Sequence, residues 1–235
     1  MVREVQVSEI TKLVKEHCIR ANKILPCDVE CRMREACKTE SSPLGKEILK
    51  DLVTNFEEAK NIDVPICQDT GMAVVFVELG QEVHLVGGSL NGAIHEGVAQ
   101  GYVEGLLRCS VVSDPIRRVN TNNNTPAIIH VKIVEGDGLK ITVAPKGFGS
   151  ENMSQTKMFT PSATPEDLVN FVVDCARTAG SNPCLWWSVW ESAAILRNVH
   201  CLQKQRCAAV LICVTQIPFM RRWRKNCFAG PTRPM

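Results

Sequence analysis

One cysteine stands in the run Ile66-Cys67-Gln68-Asp69-Thr70-Gly71-Met72, directly ahead of the apolar stretch 73–79. A thiolate can ligate a soft metal, a carboxamide and a hydroxyl can hydrogen-bond a substrate, and a carboxylate can carry a proton. Gln68, Asp69 and Thr70 are poor choices for an apolar core, so a site is a better reading of this run than a packed thiol. Two further runs have the same character, Lys146-Gly147-Phe148-Gly149-Ser150-Glu151-Asn152-Met153 and Asn182-Pro183-Cys184. In the first, glycines let backbone approach a ligand and amide and hydroxyl donors lie close by; taken alone it is no more than a tight turn after a strand. Arg108 could grip a carboxylate with two parallel N–H bonds, although a lone arginine is more often a solvated helix end. The asparagine-rich run 120–126 is half turn and half possible anion cradle, and His95 and His130 read as satisfied core or surface histidines.

Of the twelve cysteines, few look like ligands. Cys18, Cys27, Cys31 and Cys37 do not match zinc spacing and read as thiols packed on helix faces. Cys67 and Cys184 each stand alone in a turn, so neither makes a local CxxC site. Three scattered turn cysteines are the usual means of holding a [4Fe–4S] cluster with one iron open to substrate. This sequence supplies two; Cys109 and Cys175 are weaker candidates, because both sit in runs that read as ordinary helix or strand.

The elements that must position these groups are legible from periodicity. Residues 8–24 carry Ile10, Leu13, Val14, Cys18 and Ala21 at helical spacing behind Ser8 as N-cap; 28–39 reads as a second helix and 44–62 as a third. The strand 73–79 is followed by 81–86, read as its hairpin partner, and then by a helix over 90–107. Alternating runs 127–134 and 139–144, joined by Glu135-Gly136-Asp137-Gly138, carry a hairpin signal. A last helix spans 165–179, with Leu168, Phe171, Val172 and Cys175 facing inward. The expected fold class is α/β with an α+β tendency: N-terminal helices, then a mixed sheet with packed helices, and a poorly structured C-terminal tail.

Composition bounds the function classes. The chain has 235 residues, 45% of them hydrophobic and 22% charged, as in ordinary globular proteins. No apolar stretch approaches the roughly 18 residues that span a bilayer, and Met1 leads straight into charged residues. The expectation is a cytoplasmic protein with reduced thiols and no membrane association. The net charge of +2 conceals a break near Cys184. Residues 185–235 hold eight Lys or Arg against one acid, Glu191, and all four tryptophans; residues 1–184 hold nineteen against twenty-four. The body is therefore acidic and the tail basic. A basic tail can signal nucleic acid, but this one has no patterned helix, so no nucleic-acid partner is expected.

Together the runs Ile66–Met72, Arg108-x-Ser110-Val111-Val112, Asn123-Asn124-Thr125-Pro126-Ala127, Ala144–Met153 and Asn182–Cys184 closely resemble, in that order, the α-type catalytic domain of iron–sulfur hydro-lyases. That family comprises class I fumarate hydratases and L-tartrate dehydratase α subunits. The resemblance covers residues 3–184, nearly four-fifths of the chain. It implies a [4Fe–4S] cluster held by three cysteines, with Cys67 and Cys184 matching the first two. It implies that Gln68 and Asp69 contact substrate, Asp69 being the candidate for proton handling, that Arg108 binds a carboxylate, and that the loop with Lys146, Gly147 and Gly149 lies close to substrate. The implied reaction is reversible hydration of fumarate to L-malate, or dehydration of L-tartrate. The implied partners are a small dicarboxylate substrate and a β-type subunit in an oligomer.

After Cys184 the sequence departs from the family pattern. In place of an apolar, glycine-rich stretch leading to a third cysteine it reads Leu185-Trp186-Trp187-Ser188-Val189-Trp190. Tryptophan has a single codon, and dropping two bases from the Leu185 codon permits an apolar, glycine-rich string there. The expectation is a catalytic domain over 1–184, incomplete at its C-terminus, and an out-of-frame tail over 185–235. Such a tail would lack the third cluster ligand, and an inactive product is the alternative to an active α subunit. Cys201, Cys207, Cys213 and Cys227 are not promoted to replace it.

Overall fold

The structure, a computed structural model, describes residues 2–179. Cys184, the expected domain end and the tail 185–235 lie outside the described residues.

Strand β1 (Arg3–Gln6) runs straight into helix α1 (Val7–Lys23), followed by α2 (Cys27–Thr39) and α3 (Pro43–Asn61). Then come β2 (Met72–Gly80), β3 (Val83–Val86), α4 (Leu90–Glu104), β4 (Ile128–Val134), β5 (Leu139–Lys146), the single turn α5 (Phe148–Glu151) and α6 (Pro165–Ala179). Helices precede a mixed sheet with helices packed on it, as expected. Ser8 does not cap α1. Because β1 passes directly into the helix, Gln6 occupies the N-cap position in extended conformation and makes no side-chain cap bond. At α3 the cap is present: Ser42 Oγ accepts from the Gly45 N–H at 3.3 Å.

The core forms where α1 crosses α4. Ile10, Val14 and Cys18, spaced i, i+4, i+8, are fully buried and meet Ala93, Ile94, Val98 and Tyr102 of α4. Each of the buried isoleucines and valines contributes about 1.5–3 kcal/mol relative to exposure. Close approach of the two backbones depends on Gly97 and Gly101. A Cβ at Gly97 would lie 2.6 Å from the Thr11 carbonyl oxygen, and one at Gly101 would lie 2.9 Å from the Cys18 Cβ. Ala73, Val75 and Val77 of β2 turn the same way into this core, while Val74 and Phe76 are buried on the other sheet face. There His130 stacks on Phe76 with ring centroids 5.2 Å apart.

The strand pairing differs from the sequence reading twice. β3 does not pair with β2; it lies parallel to β1, with Arg3 opposite Val83 and Gln6 opposite Val86. The short strand β1 carries two charged residues and escapes a hydrophobicity pattern. Nor do β4 and β5 form a hairpin, since β2 lies between them in the order β4-β2-β5, parallel to β4 and antiparallel to β5. The turn residues 135–138 are genuine, but they pass around the end of β2. The Gly80 N–H donates to the Gly138 carbonyl at 2.7 Å, and the Glu82 N–H donates to the Gly136 carbonyl at 3.0 Å. Two strand spacings amount to about 10 Å, which four linking residues can span. Helix α4 ends three residues earlier than its apolar pattern suggests, because Leu106 takes a left-handed φ of 54°.

Burial of acidic groups in this core gives a testable pH dependence. Desolvation pushes the Cys18 thiol from 9.0 up to about 12 and raises the Tyr102 phenol. Both raised values mean that the folded state keeps protons that the unfolded chain gives up. The stabilisation is therefore complete below about pH 9 and lost progressively as pH rises toward 12. Urea denaturation across this range should show falling stability, and the Cys18→Ala variant should show a shallower fall; parallel curves would contradict the assignment.

Candidate functional site

The antiparallel register of β2 and β5 puts Met72 opposite Lys146. The end of the 62–71 loop and the start of the 147–151 turn therefore leave the sheet side by side. Gly71 makes the approach possible: at φ 63° its hypothetical Cβ would sit 2.1 Å from the Lys146 carbonyl oxygen. Asp69 ties the two segments together. Its Oδ1 accepts the Gly71 N–H at 3.0 Å and its Oδ2 accepts the Phe148 N–H at 3.1 Å. Gly147 leaves room for this carboxylate, since a Cβ there would lie 3.1 Å from Oδ2. The expected turn at 146–153 is thus a helical turn, α5, whose first N–H is held by Asp69. Lys146 Nζ reaches Glu151 Oε2 at 3.3 Å and the Gly147 carbonyl at 3.2 Å. Gly149 is exposed within α5.

Cys67 is half-buried on the approach to this junction. Its Sγ accepts the Asp69 N–H at 3.4 Å, and its S–H points to the exposed Gln68 Oε1 at 3.4 Å. The segment before it is fastened on both sides. The Ile66 N–H donates to the Asn22 carbonyl at 2.9 Å, and Asn55 Nδ2 donates to the Ile66 carbonyl at 2.8 Å. The buried Lys23 pairs with Asp63 at 2.9 Å.

The Arg108 segment arrives from the end of α4. Thr70 Oγ1 donates to the Arg108 carbonyl at 3.1 Å, and Tyr102 Oη donates to the Thr70 carbonyl at 3.0 Å. The Arg108 side chain itself is exposed. Asn124, fully buried, accepts at Oδ1 from the Ser110 and Val111 N–H groups at 2.8 and 3.1 Å and donates from Nδ2 to the Gly71 carbonyl at 2.9 Å. In this run, by sequence half turn and half possible anion cradle, the Asn124 amide is taken up by backbone. Likewise His95 Nδ1 accepts the Ala127 N–H at 3.2 Å, which agrees with a satisfied histidine.

The structure therefore brings together Cys67, Gln68, Asp69, the Arg108 backbone, Lys146 and Gly147. Cys184 lies outside the described residues. Tyr102, Asn22 and Asn55 were missed by the sequence reading, although one signal was present: Asn22 is a polar residue next to the buried stripe of α1. Cys109 and Cys175 have thiols raised by desolvation, in Cys175 with Asp174 adding to it.

As a place for a metal centre, Cys67 suits its part. The residue is half-buried, and a backbone N–H is aimed at its sulfur, as is common for cluster thiolates. Among the described residues no three His, Cys, Asp or Glu side chains gather as a ligand set, so a cluster here needs thiols from beyond residue 179.

A mixed sheet packed by helices, with polar loops gathered at the start of its central strand, is an enzyme-like architecture. Residues 11–188 match the sequence profile of the fumarate hydratase (Fumerase) family, and the chain belongs to that family. It is 36% identical over 182 residues to a Methanocaldococcus jannaschii protein provisionally named L(+)-tartrate dehydratase subunit alpha, covering 75% of this chain and 64% of that one. It is 29% identical over 182 residues to L(+)-tartrate dehydratase subunit alpha of Escherichia coli K12, covering 76% and 59%. It is 36% identical over 148 residues to the anaerobic class I fumarate hydratase of the same strain, covering 62% and 27%. The chain thus spans about six-tenths of the α-subunit relatives and about a quarter of the class I enzyme.

The Gly71 junction gives a direct test. A left-handed φ and a Cβ driven into the Lys146 carbonyl should make Gly71→Ala cost upward of about 2 kcal/mol. Chemical denaturation checks it, and a variant as stable as the parent would show that the two loops do not meet as described.

Proposed function

We propose that this chain is the α-type part of a hydro-lyase that adds water to fumarate to give L-malate. Cys67, with Cys184, would hold a [4Fe–4S] cluster. Support comes from the family match together with one geometric observation: Asp69, between Cys67 and the Phe148 N–H, sits where three separate loops converge. When bound, the cluster supplies a Lewis acid for the hydroxyl gained or lost. The chain's own residues supply the rest of the half-site. The Arg108 guanidinium makes no ion pair among the described residues and would grip a substrate carboxylate with parallel N–H bonds. Each Asp69 oxygen accepts one N–H and keeps a lone pair, so the carboxylate can take or return a proton at the substrate carbon without leaving its anchors. Gln68 presents its exposed carboxamide to a substrate oxygen, and the 146–149 turn closes one side. The relatives named as α subunits support a β-type partner that completes the site.

Dehydration of L-tartrate is the second reading, favoured by the names of the α-subunit relatives. A third is a product that cannot complete its cluster. The family match ends at residue 188, beside the change from acidic to basic composition. Resequencing codons 185–235 decides that point: failure to recover a glycine-rich string in the alternative frame would remove the frameshift proposal.

The test of the main reading is anaerobic reconstitution of the full chain with iron and sulfide, alongside a β-type subunit. The expected result is a brown protein that hydrates fumarate, with the colour lost in Cys67→Ser. The Asp69→Asn variant should keep the colour and lose activity by about 10²-fold or more. Colourless wild-type protein would contradict the reading, and unequal turnover of fumarate and L-tartrate would choose between the two substrates.

A further inference from the structure

The buried carboxamide of Asn124 does more than fill a turn. It joins the two loops that carry the proposed substrate-binding groups. Its Oδ1 takes both the Ser110 and the Val111 N–H, two and three residues after Arg108; its Nδ2 gives to the Gly71 carbonyl, two residues after Asp69. Thr70 adds a fourth bond across the same seam, from its hydroxyl to the Arg108 carbonyl at 3.1 Å. Asn124 itself holds a left-handed φ of 59°, a conformation that asparagine tolerates better than most residues.

Only an amide of this length meets the three demands. One end must accept two N–H groups while the other donates to a carbonyl. An aspartate would set a charged oxygen against the Gly71 carbonyl in a place sealed from water, and leucine would strand two donors and an acceptor. Glutamine adds a methylene to a side chain with no exposed surface.

We propose that Asn124, seconded by the Thr70 hydroxyl, is a positioning residue that sets the distance between the carboxylate grip of Arg108 and the Cys67–Asp69 segment. It touches neither substrate nor metal. It acts through the backbones of Ser110, Val111 and Gly71, so that a dicarboxylate gripped by Arg108 at one carboxylate presents its reacting carbon to Asp69. This inference rests on the substrate class proposed above.

The experiment measures binding, independently of turnover, with succinate as a dicarboxylate that cannot be hydrated. Calorimetric titration of the full chain with its β-type subunit compares wild type, Asn124→Asp, Thr70→Val, Arg108→Ala and the double variants with Arg108→Ala. Asn124→Asp should weaken succinate binding by about tenfold and Thr70→Val by a few-fold, Thr70→Val being the isosteric change that tests the seam if Asn124→Asp does not fold. In the Arg108→Ala background neither change should weaken binding further, because the group they position is gone. Hydrogen exchange should also show the Ser110 and Val111 amides protected in wild type and released in Asn124→Asp. Undiminished succinate binding in the variants, or losses that add in full to that of Arg108→Ala, would overturn the positioning role while leaving the hydro-lyase reading intact. Absence of succinate binding by the wild-type assembly would overturn both.

Discussion

Because β2 is hydrogen-bonded on both edges, to β4 over Val74–Gly80 and to β5 over Met72–Leu79, its first residues have no freedom to slide. A slip of one residue would turn Ala73, Val75 and Val77 out of the core they share with α1 and α4, and bring Val74 and Phe76 in. That register places Met72 opposite Lys146, and so decides which loops can meet where β2 begins. The chemistry-bearing groups at 67–70 inherit their position from it. The α1–α4 contact supplies the complementary restraint, since α4 leads into the Arg108 segment and carries Tyr102, whose hydroxyl holds the Thr70 carbonyl.

Around that strand start, polar groups are joined almost wholly through backbone. Asp69, Thr70, Tyr102 and Asn124 each hold a main-chain N–H or carbonyl of another loop. Such buried polar linkages contribute only about 1 kcal/mol each when made, and cost about 1–3 kcal/mol when one partner is removed. They specify one arrangement more than they stabilise it. This leaves Arg108 and Gln68 exposed and Cys67 half-buried, open to a ligand.

Much of this was readable from the chain. The apolar run 73–79 gave the central strand, the Ile10, Val14, Cys18 spacing gave the buried face of α1, and Thr164 with Pro165 gave the start of α6. That last cap is a reciprocal pair: the Thr164 N–H donates to Asp167 Oδ2 at 2.8 Å, and the Asp167 N–H returns to Thr164 Oγ1 at 3.3 Å. Strand order was not readable. The turn 135–138 carries every hairpin residue, yet whether two strands pair or admit a third between them depends on β2, which lies far earlier in the chain. The site was legible as a set of residue types, whereas the division of labour was not. Asp69 proved to be an anchor as well as a candidate base, and Asn124 proved to be a joint, because those roles depend on which backbone groups come to face them.

The proposed ligation of an iron–sulfur centre by Cys67, on the loop fixed by the start of β2 and beside Asp69, is open to direct observation. Iron-edge anomalous diffraction from anaerobically reconstituted crystals tests it most directly. The expected result is an iron signal bonded to the Cys67 sulfur and adjoining the Asp69 carboxylate. Iron bound at other thiols, with Cys67 Sγ unligated and still held by the Asp69 N–H, would contradict it.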